Sequence, residues 1–227
     1  MVVAQFAHSL RQILSEDRLE AYRPENGADL EMLTNYFWNI RLGEALMPCL
    51  HAVELALRNS IHTEFAEHYG NDMWFYIPGV LDSGGIEKLS DALRQAAHKP
   101  PLTAGKLVAA FTFGFWVSLF ASRHEEHYWR PNNFARLQDV FPHASNPSLK
   151  NTYKRMQKIL ELRNRVFHYE GIWYRPALPQ EHHDIHEVIG WISPVMHQAI
   201  LAVDNFPEVY RNRSQIEANL QAHLGLP

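Results

Sequence analysis

One cysteine, Cys49, stands among 227 residues, so no intrachain disulfide can form. That fits a reducing compartment. Long hydrophobic runs are missing too. The most apolar stretch, LVAAFTFGFWVSLFA at 107–121, has 15 residues and lies between Lys106 and Arg123. A membrane span needs about 20 residues, so the stretch reads as a buried helix. The opening segment, MVVAQFAHSLRQ, has no basic n-region and no unbroken apolar core. No secretory signal and no membrane partner are expected, and the expected location is cytoplasmic. An excess of positive charge is absent as well: the formal net charge is −4 and the pI about 6.4. Bulk charge alone therefore does not make this chain a nucleic-acid binder. There is no solenoid-length repeat, no low-complexity tract, and almost no alternation long enough for a strand.

The composition that remains is globular, with 46% apolar and 20% charged residues. Aromatics reach 12%, with six Trp, enough for a substantial core. Helical periodicity predicts helices over about 3–22 (broken near Ser15), 29–47, 49–69, 85–98, 103–122, 132–140, 147–168, 183–204 and 214–223. The connectors are rich in turn formers: Arg23-Pro24-Glu25-Asn26-Gly27, Gly70-Asn71-Asp72, Ser83-Gly84-Gly85 and Lys99-Pro100-Pro101. Thr103 and Ser148 are candidate caps, and Ser193-Pro194 a candidate division of the helix near 183–204. No linker separates two cores. The expectation is one all-α domain over 1–227, with its core at about 29–205 and a C-terminal helical extension at 206–227.

One stretch breaks the pattern. In LRNRVFHYE, residues 162–170, the polar Arg163, Asn164 and His168 crowd among Leu162, Val166 and Phe167. The segment 150–165 leads into it with Lys150, Lys154, Arg155, Lys158, Arg163 and Arg165 against Glu161 alone, a local charge of +5 that leaves −9 on the rest. A basic approach to a polar cluster suits an anionic ligand, although a solvated helix face is the plainer account. Leu149, Tyr153, Met156 and Leu160 step at helical spacing, and the same steps continue to Arg163 and Phe167. Arg163 is therefore expected on a face that is buried or paired. A guanidinium there needs an anion or acceptor. Asn164 and His168, four apart, are helical neighbours. Arg163 lies about 140° around the axis from His168, within reach of a long side chain.

These residue types can work together on a phosphodiester. Histidine as a type passes protons near neutral pH. Arginine presents a permanently charged fork that matches phosphate. Asparagine orients either one. None of the three requires a metal, and no cofactor is expected; RNA carries its own nucleophile, the 2′-hydroxyl, so no protein nucleophile is needed. A structural network tying helices together is the competing account. A second polar seam, His51, Glu54, Arg58 and His62, runs at steps of three, four and four. Glu54 is a candidate counter-charge or auxiliary base, with Arg58 and His62 beside it, unless the seam is a plain interhelix salt bridge. The 14 histidines include His124-Glu-Glu-His127 and His182-His183-Asp184-Ile185-His186. Neither has the spacing of the zinc-protease motif, and no metal site is expected. The aromatic run Phe111, Phe113, Phe115, Trp116 and Phe120 reads as core or dimer surface rather than a base-stacking platform.

Arg163-Asn164-Arg165-Val166-Phe167-His168 resembles the signature of HEPN-domain ribonucleases: Arg, four to six residues, then His, with a polar residue after the Arg. Three further segments, GKLVAAFTFGFWVSLF at 105–120, VELALRNSIH at 53–62 and IGWISP at 189–194, are similar to the abortive-infection-like (Abi-like) family of that superfamily. The similarity runs from about residue 30 to residue 210. It implies an all-α HEPN-like helical bundle with additional helices, homodimerisation with both Arg and His pairs in one cleft, and metal-independent endoribonuclease activity leaving a 2′,3′-cyclic phosphate. The implied setting is phage defence or a toxin–antitoxin pair, with RNA as ligand and an antitoxin RNA or protein as possible partner. Carried onto this chain, His168 is the general acid or base, Arg163 the phosphate clamp, and Asn164 holds geometry. Lys154, Arg155, Lys158 and Arg165 are candidates for binding the RNA phosphates. The chain departs from similar sequences at Phe167-His168-Tyr169-Glu170, where a His-His-Glu ending is frequent. The alternative is a non-catalytic RNA- or nucleotide-binding module regulated by a partner.

Overall fold

Local capping explains where several of the helices start. The structure is a computed structural model that describes residues 2–98, 100–131 and 133–226. Among these residues it is all-α, with no strand. The first helix, α1 (Val2–Leu14), is followed at once by α2 (Glu16–Glu20). Ser15 divides them: its φ is +74°, and its hydroxyl accepts from the Arg18 N–H at 3.3 Å. Next comes α3 (Asp29–Tyr69), one helix of 41 residues where the sequence predicted two. Pro48 lies inside it without ending it. Proline removes one helical N–H and crowds the preceding turn. A break is nonetheless avoided here, with Leu42, Leu46, Leu50, Val53 and Leu57 all fully buried on either side of it.

The helix α4 (Ser83–Ala96) includes Gly84 and Gly85, which the sequence suggested as connector. Asp82 accounts for the difference, since its carboxylate caps the Gly85 N–H at 2.7 Å. The predicted helix at 103–122 is two, α5 (Ala104–Ala110) and α6 (Phe113–Ser118), capped by the Thr103 and Thr112 hydroxyls. A 3₁₀ turn (Ser122–His124) and a π turn (Glu125–Trp129) lead to α7 (Ala135–Val140). Of the sequence-based expectations, Asn132 at the head of this helix and Lys99 in its connector lie outside the described residues. Then follow α8 (Leu149–Phe167), α9 (Leu178–Ile192), α10 (Pro194–Leu201), α11 (Phe206–Arg211) and α12 (Arg213–His223). Ser193 divides α9 from α10 as expected, capping the Met196 N–H at 3.2 Å with Pro194 in the first turn. No helix among the described residues is long and apolar enough to cross a membrane.

The chain divides into two compact units. The first is Met1–Pro48, Leu162–His182 and Val203–Pro227; the second is Cys49–Glu161 and His183–Ala202. In the first, α1 turns Val3, Phe6, Ala7, Leu10 and Leu14 inward at helical spacing, onto Leu19, Tyr22, Met32 and Leu33. Tyr22 meets Tyr36 edge-on at 5.2 Å between ring centroids and lies 6.4 Å from Trp173. The second unit is built around aromatic packing. Phe65 touches Trp74, Tyr128 and Trp129 at 4.9, 5.3 and 5.9 Å between centroids, and Phe120 stacks on Trp129 at 4.8 Å. Each such pair adds about 0.5–1.5 kcal/mol beyond the area it buries. Phe111, Phe113, Phe115, Trp116 and Phe120 are all buried. That run is core.

An ion network closes the first unit at α1, α2 and the start of α3. Arg23 pairs with Glu20 and with Asp29 (2.6 Å), and Arg11 with Glu20 (2.7 Å) and Asp29 (3.0 Å). Arg23, then Arg11, hold the Glu20 carboxyl down to about 2 against the raising effect of burial, and lower Asp29 by the same means. A carboxylate whose folded value is depressed stabilises the fold above its unfolded value, and that contribution is lost as pH falls through the folded value. The network is thus expected to act fully at neutral pH and to fade from about 4.5 towards 2. Arg23→Ala should cost about 1 kcal/mol at pH 7, solvent screening included, and clearly less at pH 2, where about half of Glu20 is protonated. Urea unfolding of both proteins at each pH measures this. An equal gap at both would sink the assignment.

Candidate functional site

The polar cluster of 162–170 forms on the last turns of α8. The buried face of that helix carries Leu149, Thr152, Met156, Ile159 and Leu162, all at most 8% exposed. This corrects the expected stripe. Tyr153 and Leu160 are only half-buried, because Ile159 and Leu162, three apart, rotate the apolar face toward themselves. Arg163 therefore sits on the border of that face, half-buried rather than sealed, while Asn164 and His168 are exposed.

The Arg163 guanidinium lies over the Phe167 ring, 4.1 Å from its centroid, and donates to Asn164 Oδ1 at 3.4 Å. The i to i+4 stacking holds the fork against one turn of helix, a cation–π contact of about 0.5–1 kcal/mol at an exposed site. Asn164 and His168 are joined by the helix bond from the His168 N–H to the Asn164 carbonyl, 2.9 Å. The neighbouring Arg165 reaches Glu170 at 3.3 Å and the Tyr174 hydroxyl at 3.4 Å. Three aromatic side chains are exposed around this helix end: Phe167 at 37%, Tyr169 at 75% and Tyr174 at 54%.

How α8 stops sets the direction of the chain beyond His168. The Glu170 N–H bonds back to the Arg165 carbonyl at 2.8 Å, and the Tyr169 N–H to the Val166 carbonyl at 3.2 Å. That is a Schellman ending, whose left-handed position glycine usually fills. Here Tyr169 fills it, with φ +58°. Its carbonyl accepts from the Arg18 guanidinium of α2 at 2.8 Å. The following segment is pinned by Asn39 of α3, which sequence reading missed. The buried Asn39 Oδ1 accepts from the Ile172 N–H at 2.6 Å and the Trp173 N–H at 3.1 Å. Its Nδ2 donates to the Tyr22 hydroxyl at 3.3 Å and the Glu170 carbonyl at 3.4 Å. The available signal was a pair of asparagines, Asn35 and Asn39, four apart in the uncharged stretch MLTNYFWNI, residues 32–40.

The structure thus brings Arg163, Asn164, Arg165 and His168 together in the first unit. The other candidates belong to the second unit. Lys154 and Lys158 are exposed on α8. Arg155 is committed to α9: it pairs with Glu187, lies 4.0 Å from Asp184, and stacks over Trp191 at 4.7 Å. Of the seam on α3, His62 is half-buried, and its Nδ1 accepts from the Trp74 indole N–H at 3.1 Å. Burial lowers its pKa, partly offset by Asp72. That is a neutral, structural histidine. Glu54 and Arg58 are half-buried on the same helix, and the Arg58 Nε is buried with no hydrogen-bond partner among the described residues.

No family model, no curated protein and no solved structure matches this chain. Among the described residues the chain is helical without strands, and it presents a histidine, two arginines and an asparagine at an aromatic-flanked helix end.

Proposed function

We propose that this protein is a metal-independent endoribonuclease of the Abi-like HEPN type. The observation that carries the reading is the placement of Asn164 and His168 on solvent, beside a half-buried Arg163, rather than under packed hydrocarbon. All three are at least partly open to solvent. In this reading His168 moves a proton to or from the reacting oxygen, and Arg163 stabilises charge growing on the phosphate. Asn164 supports the assignment by holding the Arg163 fork at 3.4 Å. The RNA 2′-hydroxyl attacks its own phosphorus, and the 5′-oxygen of the next nucleotide leaves. The pairing of Arg155 with Glu187 makes it a support for α9 rather than a contact for RNA. Two copies of the chain would bring two such helix ends to one strand.

The experiment is incubation of single-stranded RNA with the purified protein in EDTA, with the new ends mapped. Fragments ending in 2′,3′-cyclic phosphate and beginning with 5′-hydroxyl are expected. Intact RNA, or fragments with 3′-hydroxyl ends, would overturn the proposal.

A further inference from the structure

A cavity of about 490 Å³ lies in the first unit between α2, α3 and the end of α8. We propose that it receives one unstacked nucleobase of the bound RNA, with Tyr169 as the ring that stacks on it. The proposal rests on the RNA-cutting reading above and names where that site takes hold of its substrate.

Three observations converge. The first is the lining. Ile40, Met47, Val166 and Ile172 supply apolar walls, and Tyr36 and Tyr169 supply rings. Ile40 and Met47 are 48% and 40% exposed. A volume of this size accommodates a nucleoside and is too small for a folded partner. The second is charge. Three charged side chains line the cavity, and each is engaged: Arg18 donates to the Tyr169 carbonyl at 2.8 Å, Glu44 pairs with Arg41, and Glu170 pairs with Arg165 at 3.3 Å. That suits an uncharged base better than an anionic or cationic head group.

The third is Tyr169 itself. It occupies a left-handed position, φ +58°, where glycine is without strain. Yet the chain carries a bulky side chain there, 75% exposed, so packing gives little in return. Strain kept at an exposed position points to use. Val166 and Tyr169, which both line the cavity, stand on either side of His168 in the chain. Helical pitch turns His168 about 200° from Val166, so a base held in the cavity brings the adjoining phosphate to the helix end, and the strand crosses that end to meet His168.

The test uses the full chain carrying His168→Ala, so that RNA is not consumed, and a fluorescein-labelled single-stranded oligoribonucleotide followed by anisotropy. Adding Tyr169→Gly should weaken binding about tenfold, since loss of one base–aromatic stack costs a factor of that order. Tyr169→Phe should bind as tightly as the parent. Thermal melting separates this from misfolding, because Tyr169→Gly relieves the backbone and should melt no lower. An oligonucleotide of abasic sites should bind as weakly to the parent as normal RNA binds to the glycine variant. Unchanged affinity of Tyr169→Gly, or full affinity for the abasic strand, overturns the base pocket. So does conversion of a dimer to a monomer by Met47→Arg with RNA affinity unchanged, which would assign the cavity to a second copy. If wild-type protein cuts no RNA while the Tyr169 pattern holds, the cutting reading fails and the pocket stands.

Discussion

Replacing His168 by alanine is expected to slow RNA cleavage in EDTA by about 10²–10⁴-fold, the loss typical of a removed general acid or base. RNA affinity should stay within a few-fold of wild type, because an exposed imidazole adds little to holding the strand. The split matters. His168 is exposed, and its backbone N–H bonds to the Asn164 carbonyl whatever the side chain is. Alanine is also a better helix former. The variant should therefore fold as well as the parent, and circular dichroism checks that directly. Arg163→Ala should lower both rate and affinity, since on the proposed function it removes the charge that stabilises the phosphate. Arg163→Lys should restore little, because the ammonium has neither the planar fork nor the stacking surface that rests on Phe167 at 4.1 Å. Equal rates for wild type and His168→Ala would remove the catalytic role. Binding by both proteins with cleavage by neither would favour the non-catalytic RNA-binding module.

Asn39→Ala is the second large effect. The amide oxygen of Asn39 accepts two backbone N–H groups, from Ile172 and Trp173, and the residue is 8% exposed. Alanine leaves both donors without a partner beside an apolar core. Each buried donor left unsatisfied costs about 1–3 kcal/mol, so a loss of about 2–4 kcal/mol is expected from the urea midpoint. That is a large share of a typical stability of about 5–15 kcal/mol. On the proposed function the loss extends to RNA binding. Asn39 Nδ2 holds the Glu170 carbonyl at 3.4 Å, which fixes the chain next to Tyr169. Under conditions where the variant is still folded, RNA binding should fall as well. A change below about 0.5 kcal/mol, the range of ordinary surface substitutions, would show that the segment after α8 is held by something else.

Much of the secondary structure was legible from the chain alone, and each success traces to a local interaction. The break at Ser15 and the division at Ser193-Pro194 are decided by a hydroxyl and an N–H three residues apart. The failures do not share one cause. Pro48 reads as a helix end by every local rule, yet α3 continues through it. Ser83-Gly84-Gly85 reads as a turn until Asp82 caps it.

At the candidate site, the one-dimensional chain determined that a histidine, two arginines and an asparagine share the end of one helix, since spacing along a helix is fixed by its pitch. Tertiary structure decided the rest. It rotated the buried face of α8 so that Arg163 stays half-exposed, and committed Arg155 to Glu187, 32 residues away. It also set Asn39 as the latch on Ile172, 133 residues away, and opened a cavity beside Tyr169. Helical period and capping act over about four residues. Burial, ion pairing and cavity walls are settled by groups that meet only once the chain has folded.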